Sequence, residues 1–214
     1  MSREIEEIRA FLEQEIVPLY DNFDAGHGRD HVHTVMSQSL SLASHYPEVD
    51  TCLLVTAAAY HDLGLERGRD LHHVYSAAII RNDRRLRKWF DEDEINTIAE
   101  AAEDHRASSG HEPRTIYGRI VAEADRIIDS ETIVRRALQY GLSHEPGLDR
   151  EGQYHRLMEH MREKYAEGGY LRLWIPYGEN ARRLQEFRQK LADEKAFKQL
   201  FDNFYNILTN QSTI

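Results

Sequence analysis

Apolar residues recur at helical intervals from the start of the chain. Ile5, Ile8, Leu12 and Ile16 fall on one stripe, the spacing of an amphipathic helix. Ser2 stands before it as a candidate N-cap, and Pro18 ends or kinks it. After a loop with Gly26, His27 and Gly28, the pattern predicts a second helix from about Asp30 to Tyr46. His31, Val35 and Leu42 share one side of it, and Pro47 stops it. Asp50 then caps a third helix that is apolar nearly all round, Cys52 to Val55 followed by Ala57 to Ala59, ending at His61, Asp62 and Gly64. A helix without a polar face belongs in the core.

A fourth helix opens near His72 and runs to about Asn82. The acids Asp91 to Glu94 suit the start of a fifth, in which Ile95, Ile98, Ala99, Ala102 and His105 share a face. Pro113 opens a sixth, with Ile116, Ile120, Val121, Ala124, Ile127 and Ile128 inward and Asp125 among them. From about Ser130 the chain predicts three or four more amphipathic helices, punctuated by Gly141, Gly147, Gly152, Gly168, Gly169 and Pro176. No alternating run marks a strand, and there is no repeat or low-complexity segment. The expectation is an all-α protein, one domain over 1–214. Its motif-bearing core covers about 26–130, and a helical extension of about 131–214 wraps it.

Composition narrows the function. The 214 residues carry Lys plus Arg 27 against Asp plus Glu 37, a net charge of −10, which repels a phosphate backbone and argues against broad nucleic-acid binding. The longest run free of charge and strong polarity, Cys52 to Tyr60, falls well short of the roughly 20 residues that span a bilayer. Acids near the amino terminus stand where a secretory signal is basic and then apolar. The single cysteine, Cys52, has no internal partner, as in a reducing compartment. The chain therefore reads as cytoplasmic, with no membrane partner. Twelve histidines, as many as the glycines, direct attention to metal and proton chemistry.

Adjacent His61 and Asp62 at the end of a buried helix can reach one ion beyond its terminus, although a histidine in a last helical turn also suits the helix dipole. Asp125 on an apolar stripe loses several kcal/mol of hydration unless a cation meets it. An arginine, Arg126 or Arg106, would serve, and so would a metal. His31 and His105 lie on inward stripes as well. Helical bundles build metal sites by aiming imidazoles and carboxylates from facing helices at one point.

These residues resemble the HD-domain superfamily of metal-dependent phosphohydrolases. Its members carry a histidine on one helix, a His-Asp pair ending a later helix, and an aspartate further on before Arg or Lys. Here His31 lies in the run from Gly26 to Val35, His61 and Asp62 in Ala59-Tyr60-His61-Asp62-Leu63-Gly64, and Asp125 in Ala124-Asp125-Arg126. The resemblance covers about 26–130. It implies an HD-domain helical bundle with additional C-terminal helices, and an enzyme that hydrolyses a small phosphate ester or nucleotide by metal-activated water. It assigns His31, His61, Asp62 and Asp125 as metal ligands. Relatives with two ions add histidines, for which His72 or His73, with His72 favoured, and His105 are the candidates. Asp62 would then bridge the ions.

Imidazole plus carboxylate without thiolate suits one or two divalent transition ions, Fe, Mn, Zn, Co or Ni. Arg106, Ser108, Ser109 and Arg126 are the nearest donors for phosphoryl oxygens, so Asp62, Arg106 and Arg126 form the candidate catalytic set. Leu65 stands where many relatives have lysine. Arg81, Arg84, Arg85, Arg87 and Lys88 form a phosphate rim or, more simply, a solvated surface. Glu66, four residues beyond Asp62, reads as a general acid or base or, with Arg67 and Arg69 beside it, as an exposed loop residue, and Tyr170, Trp174 and Tyr177 as packing aromatics or a base-stacking surface. An HD-fold diiron oxygenase and a non-catalytic nucleotide or metal sensor are the alternative readings, and the oligomeric state stays open.

Overall fold

The computed structural model describes residues 5–24, 26–107, 111–126, 128–175 and 178–210. Ser2, Ile127, Pro176 and Tyr177 lie outside them. The fold is all-α, with no strand among the described residues, and no described helix is long and apolar enough to cross a membrane. The chain divides into two compact units, Met1–Arg126 and Ile127–Ile214.

In the first unit, α1 (Ile5–Phe11) passes into one π-helical turn at Leu12–Ile16 and a 3-10 turn at Val17–Asn22. Pro18 sits in the first turn of that last segment, where its missing N–H costs nothing, so the helix is rewound rather than stopped. Ile8, Leu12 and Ile16 are buried as their spacing predicts. Helix α2 covers Arg29–Ala43, ending three residues before the expected Tyr46. Tyr46 precedes Pro47, and the residue before proline is pushed out of the helical region. The buried stripe of α2 runs through Val32, Val35, Met36, Ser39 and Ala43, so Leu42 is only half-buried and its neighbour Ala43 takes the inward place.

Helix α3 (Thr51–Tyr60) is the axis of this unit, with every residue from Cys52 to Tyr60 buried. It packs against α1, α2, α5 and α6. Asp50 caps it, its carboxylate accepting from the backbone N–H of Cys52 at 2.7 Å and of Leu53 at 3.4 Å. A short 3-10 segment, Leu63–Arg67, leads to α4 (His72–Asn82). Gly64 sets how closely α4 can approach: a Cβ there would lie 2.0 Å from the His72 carbonyl oxygen and 2.7 Å from the Ser76 nitrogen. Its own N–H donates to Ser76 Oγ at 2.9 Å.

Helix α5 (Glu92–Glu103) starts in a capping box between Asp91 and Glu94. Helix α6 (Ile116–Ala124) begins after Thr115, whose side chain accepts from Gly118 N–H, and not at Pro113 as its sequence suggests. The intervening segment is tied back instead. Arg114 donates its backbone N–H at 2.7 Å and its guanidinium Nη2 at 2.8 Å to the buried Asp104 carboxylate.

The second unit consists of α7 (Ser130–His144), α8 (Arg150–Tyr165), α9 (Glu179–Ala192) and α10 (Glu194–Asn210). Leu138, Leu157, Met161, Phe187, Phe197 and Phe201 form its core.

Candidate metal centre

The C-terminal ends of α3, α5 and α6 and the N-terminal ends of α2 and α4 bring six side chains together. His61 follows the last residue of α3, Asp62 comes next, and Asp125 occupies the C-cap of α6. His31 lies in the first turn of α2, His72 opens α4, and His105 stands two residues beyond α5. Asp125 is thus at a helix end instead of inside an apolar stripe, which lets it face the ends of the other helices.

The ligand-type atoms form two groups. His31 Nε2 lies 3.2 Å from Asp125 Oδ1, 3.5 Å from Asp62 Oδ2 and 3.2 Å from His61 Nε2. His61 Nε2 is 3.2 Å from Asp62 Oδ2. In the second group, His72 Nε2 and His105 Nε2 each lie 3.4 Å from Asp62 Oδ1 and 3.2 Å from one another. Asp62 therefore turns one oxygen to each group. Within each group the atoms lie within 4.8 Å of one another, close enough to share an ion. His73, the alternative to His72, is not in either group.

The donor chemistry fits a cation. Three imidazoles commit Nδ1 to a backbone carbonyl: His61 to Ala58 at 2.7 Å, His72 to Arg69 at 2.7 Å and His105 to Ala102 at 2.5 Å. Such bonds place the proton on Nδ1 and the lone pair on Nε2, the orientation of metal-binding histidines. Two Nε2 lone pairs 3.2 Å apart, beside carboxylate oxygens, repel unless a proton or a metal ion lies among them.

In the absence of metal, protons fill that role. Burial pushes the His31 imidazolium down, but its bonds to Asp125 and Asp62 outweigh this and raise it to about 9. His105 is raised too, Asp62 overcoming its burial. Burial, with His105 alongside, lowers His72 to about 4 and keeps it neutral. Burial would raise both carboxyls, yet the surrounding imidazoles hold Asp62 well below the usual range and Asp125 at about 2. His61 is fully buried and the Asp62 side chain 5% exposed, whereas Asp125 is 26% exposed and marks the open edge.

Outer contacts orient the centre. The Tyr20 hydroxyl donates to the Ala59 carbonyl at 2.8 Å and accepts the Asp62 N–H at 3.4 Å, securing the end of α3. Tyr20 and Asp24 escaped the sequence reading because neither carries a motif, and His27 was passed over as a loop residue. Arg106 follows His105 and bonds the Asp70 carbonyl. Arg126 is buried, with Nη1 on the Ala122 carbonyl at 2.7 Å. Ser108 and Ser109 lie outside the described residues. Glu66 is exposed. The basic run is largely paired with acids, Arg85 with Asp83 and Glu15, Arg87 with Glu92, and Lys88 with Glu7, as a solvated surface is. Tyr170, in the second unit, is 46% exposed.

Comparisons with curated proteins and with solved structures returned no match. A family model described as the HD domain matches residues 28–128, the stretch that contains all six converging side chains. HD domains bind divalent metals, and residues 28–128 carry that domain's pattern.

Proposed function

We propose that this protein is a metal-dependent phosphohydrolase acting on a small phosphate ester or nucleotide. One divalent transition ion would be held by His31, His61, Asp62 and Asp125, and a second by Asp62, His72 and His105. The observation that carries the reading is the division of Asp62, with Oδ2 3.2 Å from His61 and Oδ1 3.4 Å from both His72 and His105. When bound, such ions polarise a phosphoryl oxygen and bring water close to deprotonation at neutral pH.

The residues of this chain do the rest. Their Nδ1 bonds to carbonyls fix His61, His72 and His105 with Nε2 inward, so little reorganisation accompanies binding. Burial of His61 and Asp62 excludes water from the floor, while the exposed edge at Asp125 admits substrate. Arg106 supplies positive charge for the phosphoryl oxygens as charge develops on them. Arg126, bonded to its own helix, steadies the turn that carries Asp125. The single cysteine suits a reducing compartment.

The test measures metal content and phosphate release over a panel of phosphate esters and nucleotides. Wild type should carry one or two ions per chain and release phosphate, and Asp62→Ala should reduce release to background. Unchanged release from that variant rejects the site. The second group, Asp62 with His72 and His105, favours one alternative, a diiron oxygenase. Iron-loaded aerobic protein would then show a diiron absorption, and a colourless manganese or zinc enzyme that releases phosphate excludes it.

A further inference from the structure

Beside the candidate metal centre lies a cluster of Asp24, His27 and Arg69, none of them among the six converging side chains. Asp24 Oδ1 accepts from the Gly26 N–H at 2.8 Å and holds His27 Nδ1 at 2.8 Å. The His27 ring stands edge-on to His31, centroids 5.7 Å apart. Arg69 Nη2 lies 3.1 and 3.2 Å from the two His27 ring nitrogens and 3.4 Å from Asp24 Oδ2. Near-equal distances to both ring nitrogens put the guanidinium against the imidazole, the stacked packing to which its planar shape is suited.

The same residue also touches the other half of the centre, since its backbone carbonyl is the acceptor for His72 Nδ1 at 2.7 Å. Arg69 thus meets the His72 group by its backbone and His27, the ring beside His31, by its side chain. Other arginines nearby are occupied: Arg29 pairs with both oxygens of Asp21 at 2.5 Å, and Arg67 lies over the Tyr75 ring. Arg69 has one long carboxylate contact, and among the described residues its Nε and Nη1 meet no acceptor. Its side chain is 69% exposed. On a chain of net charge −10, a guanidinium with free donors one ring away from His31 attracts anions.

We propose that Arg69, seated on His27 and oriented by Asp24, is a substrate-binding residue that grips the terminal phosphate of a phosphate monoester. The proposal rests on the phosphohydrolase reading and specifies its substrate class. Two phosphoryl oxygens directed at the ions leave a third for the guanidinium only when the phosphate is terminal. A diester has just two non-bridging oxygens, so it satisfies the ions or Arg69 but not all three. The fork of Arg69 offers the paired donors that phosphate takes up best.

The experiment titrates inorganic phosphate into the manganese-loaded full-length protein by calorimetry, for wild type, Arg69→Ala, Arg69→Lys and Arg29→Ala. Because His72 is held by the Arg69 carbonyl and not by its side chain, metal content should be the same in all four. Loss of a charged hydrogen-bonding group predicts affinity weakened about tenfold or more in Arg69→Ala. Arg69→Lys should recover part of it, and Arg29→Ala should match wild type. Wild type that fails to bind phosphate, equal affinity in wild type and Arg69→Ala, or an equal loss in Arg29→Ala overturns the proposal. Turnover separates the two readings. If monoesters are hydrolysed with the same KM by Arg69→Ala, the enzyme stands and the clamp falls. If phosphate binds through Arg69 but no ester is cleaved, the clamp stands and the hydrolase falls.

Discussion

The two units of this protein treat buried polarity in opposite ways. The first buries His61, Asp62, Asp104, His105, Glu123 and Arg126, along with Ser39, Thr56 and Ser76, while Gln153 is the buried polar residue of the second among those described. Gln153 is satisfied locally, its amide donating to the Gly141 and Glu145 carbonyls at 3.2 and 2.8 Å. The remainder of the second core is aliphatic and aromatic, with Tyr154 edge-on to Phe201 at 5.2 Å. Burying ionisable groups costs several kcal/mol each unless partners repay it. Here His61 and His105 converge on Asp62, while Asp104 holds Arg114.

That contrast can be broken experimentally, and the sharpest attempt exchanges the kinds of damage. His61→Ala should lower metal affinity by about 100-fold or more, beyond what loss of an outer contact usually costs, and abolish phosphate release. Phe201→Ala should cost about 3–5 kcal/mol of stability, as large aromatic truncations do, while leaving metal per folded chain unchanged. Elemental analysis beside chemical denaturation reads both. Metal loss in Phe201→Ala at full folding would mean that the division between chemistry and scaffold is false.

A milder change probes the support of the centre. Tyr20→Phe removes the bonds to Ala59 and Asp62 yet preserves the ring, so metal affinity should fall about tenfold, at the lower end of outer-contact effects. Competition with a chelator measures this, and an unchanged affinity would reduce Tyr20 to a packing residue.

The smallest effect concerns protons in the metal-free chain. His31 is raised from 6.5 to about 9, so its stabilising contribution is complete below about 6.5 and lost as pH climbs through about 9. His160 in the second unit is lowered, chiefly by burial and then by Lys164 and Arg156. Its contribution is present above about 6.5 and lost on acidification. Histidine ring signals followed by NMR titration should therefore move in opposite directions from the free value, and both lying at that value would remove the electrostatic difference between the units.

Much of the site was legible because its chemistry is local. His61 and Asp62 are adjacent, His72 lies ten residues beyond Asp62, and the helices carrying them announce themselves by spacing and caps. The motif order picked out His31, His61, Asp62 and Asp125, added His105 as a candidate and left His72 beside His73. Other features were illegible for physical reasons. Thr115 and not Pro113 precedes the first turn of α6 because Arg114 is held by the buried Asp104, a side-chain contact that leaves no mark on apolar spacing. Tyr20 matters through one hydroxyl meeting the end of α3, and such a contact has no periodicity. Arg69 resembled any charged loop residue until its side chain was found against His27.

The amino-acid sequence alone determined that the chain is helical, where most helices run, and that His31, His61, His105, Asp62 and Asp125 turn inward, since propensity, capping and apolar spacing act over a few residues. Tertiary structure decided that Asp62 divides its oxygens between two groups, that His72 and not His73 joins them, and that Arg69 stands against His27. Those outcomes depend on helix ends meeting at hydrogen-bond distance. That meeting is fixed by long-range packing, such as α4 pressed against Gly64, which no short stretch of sequence encodes.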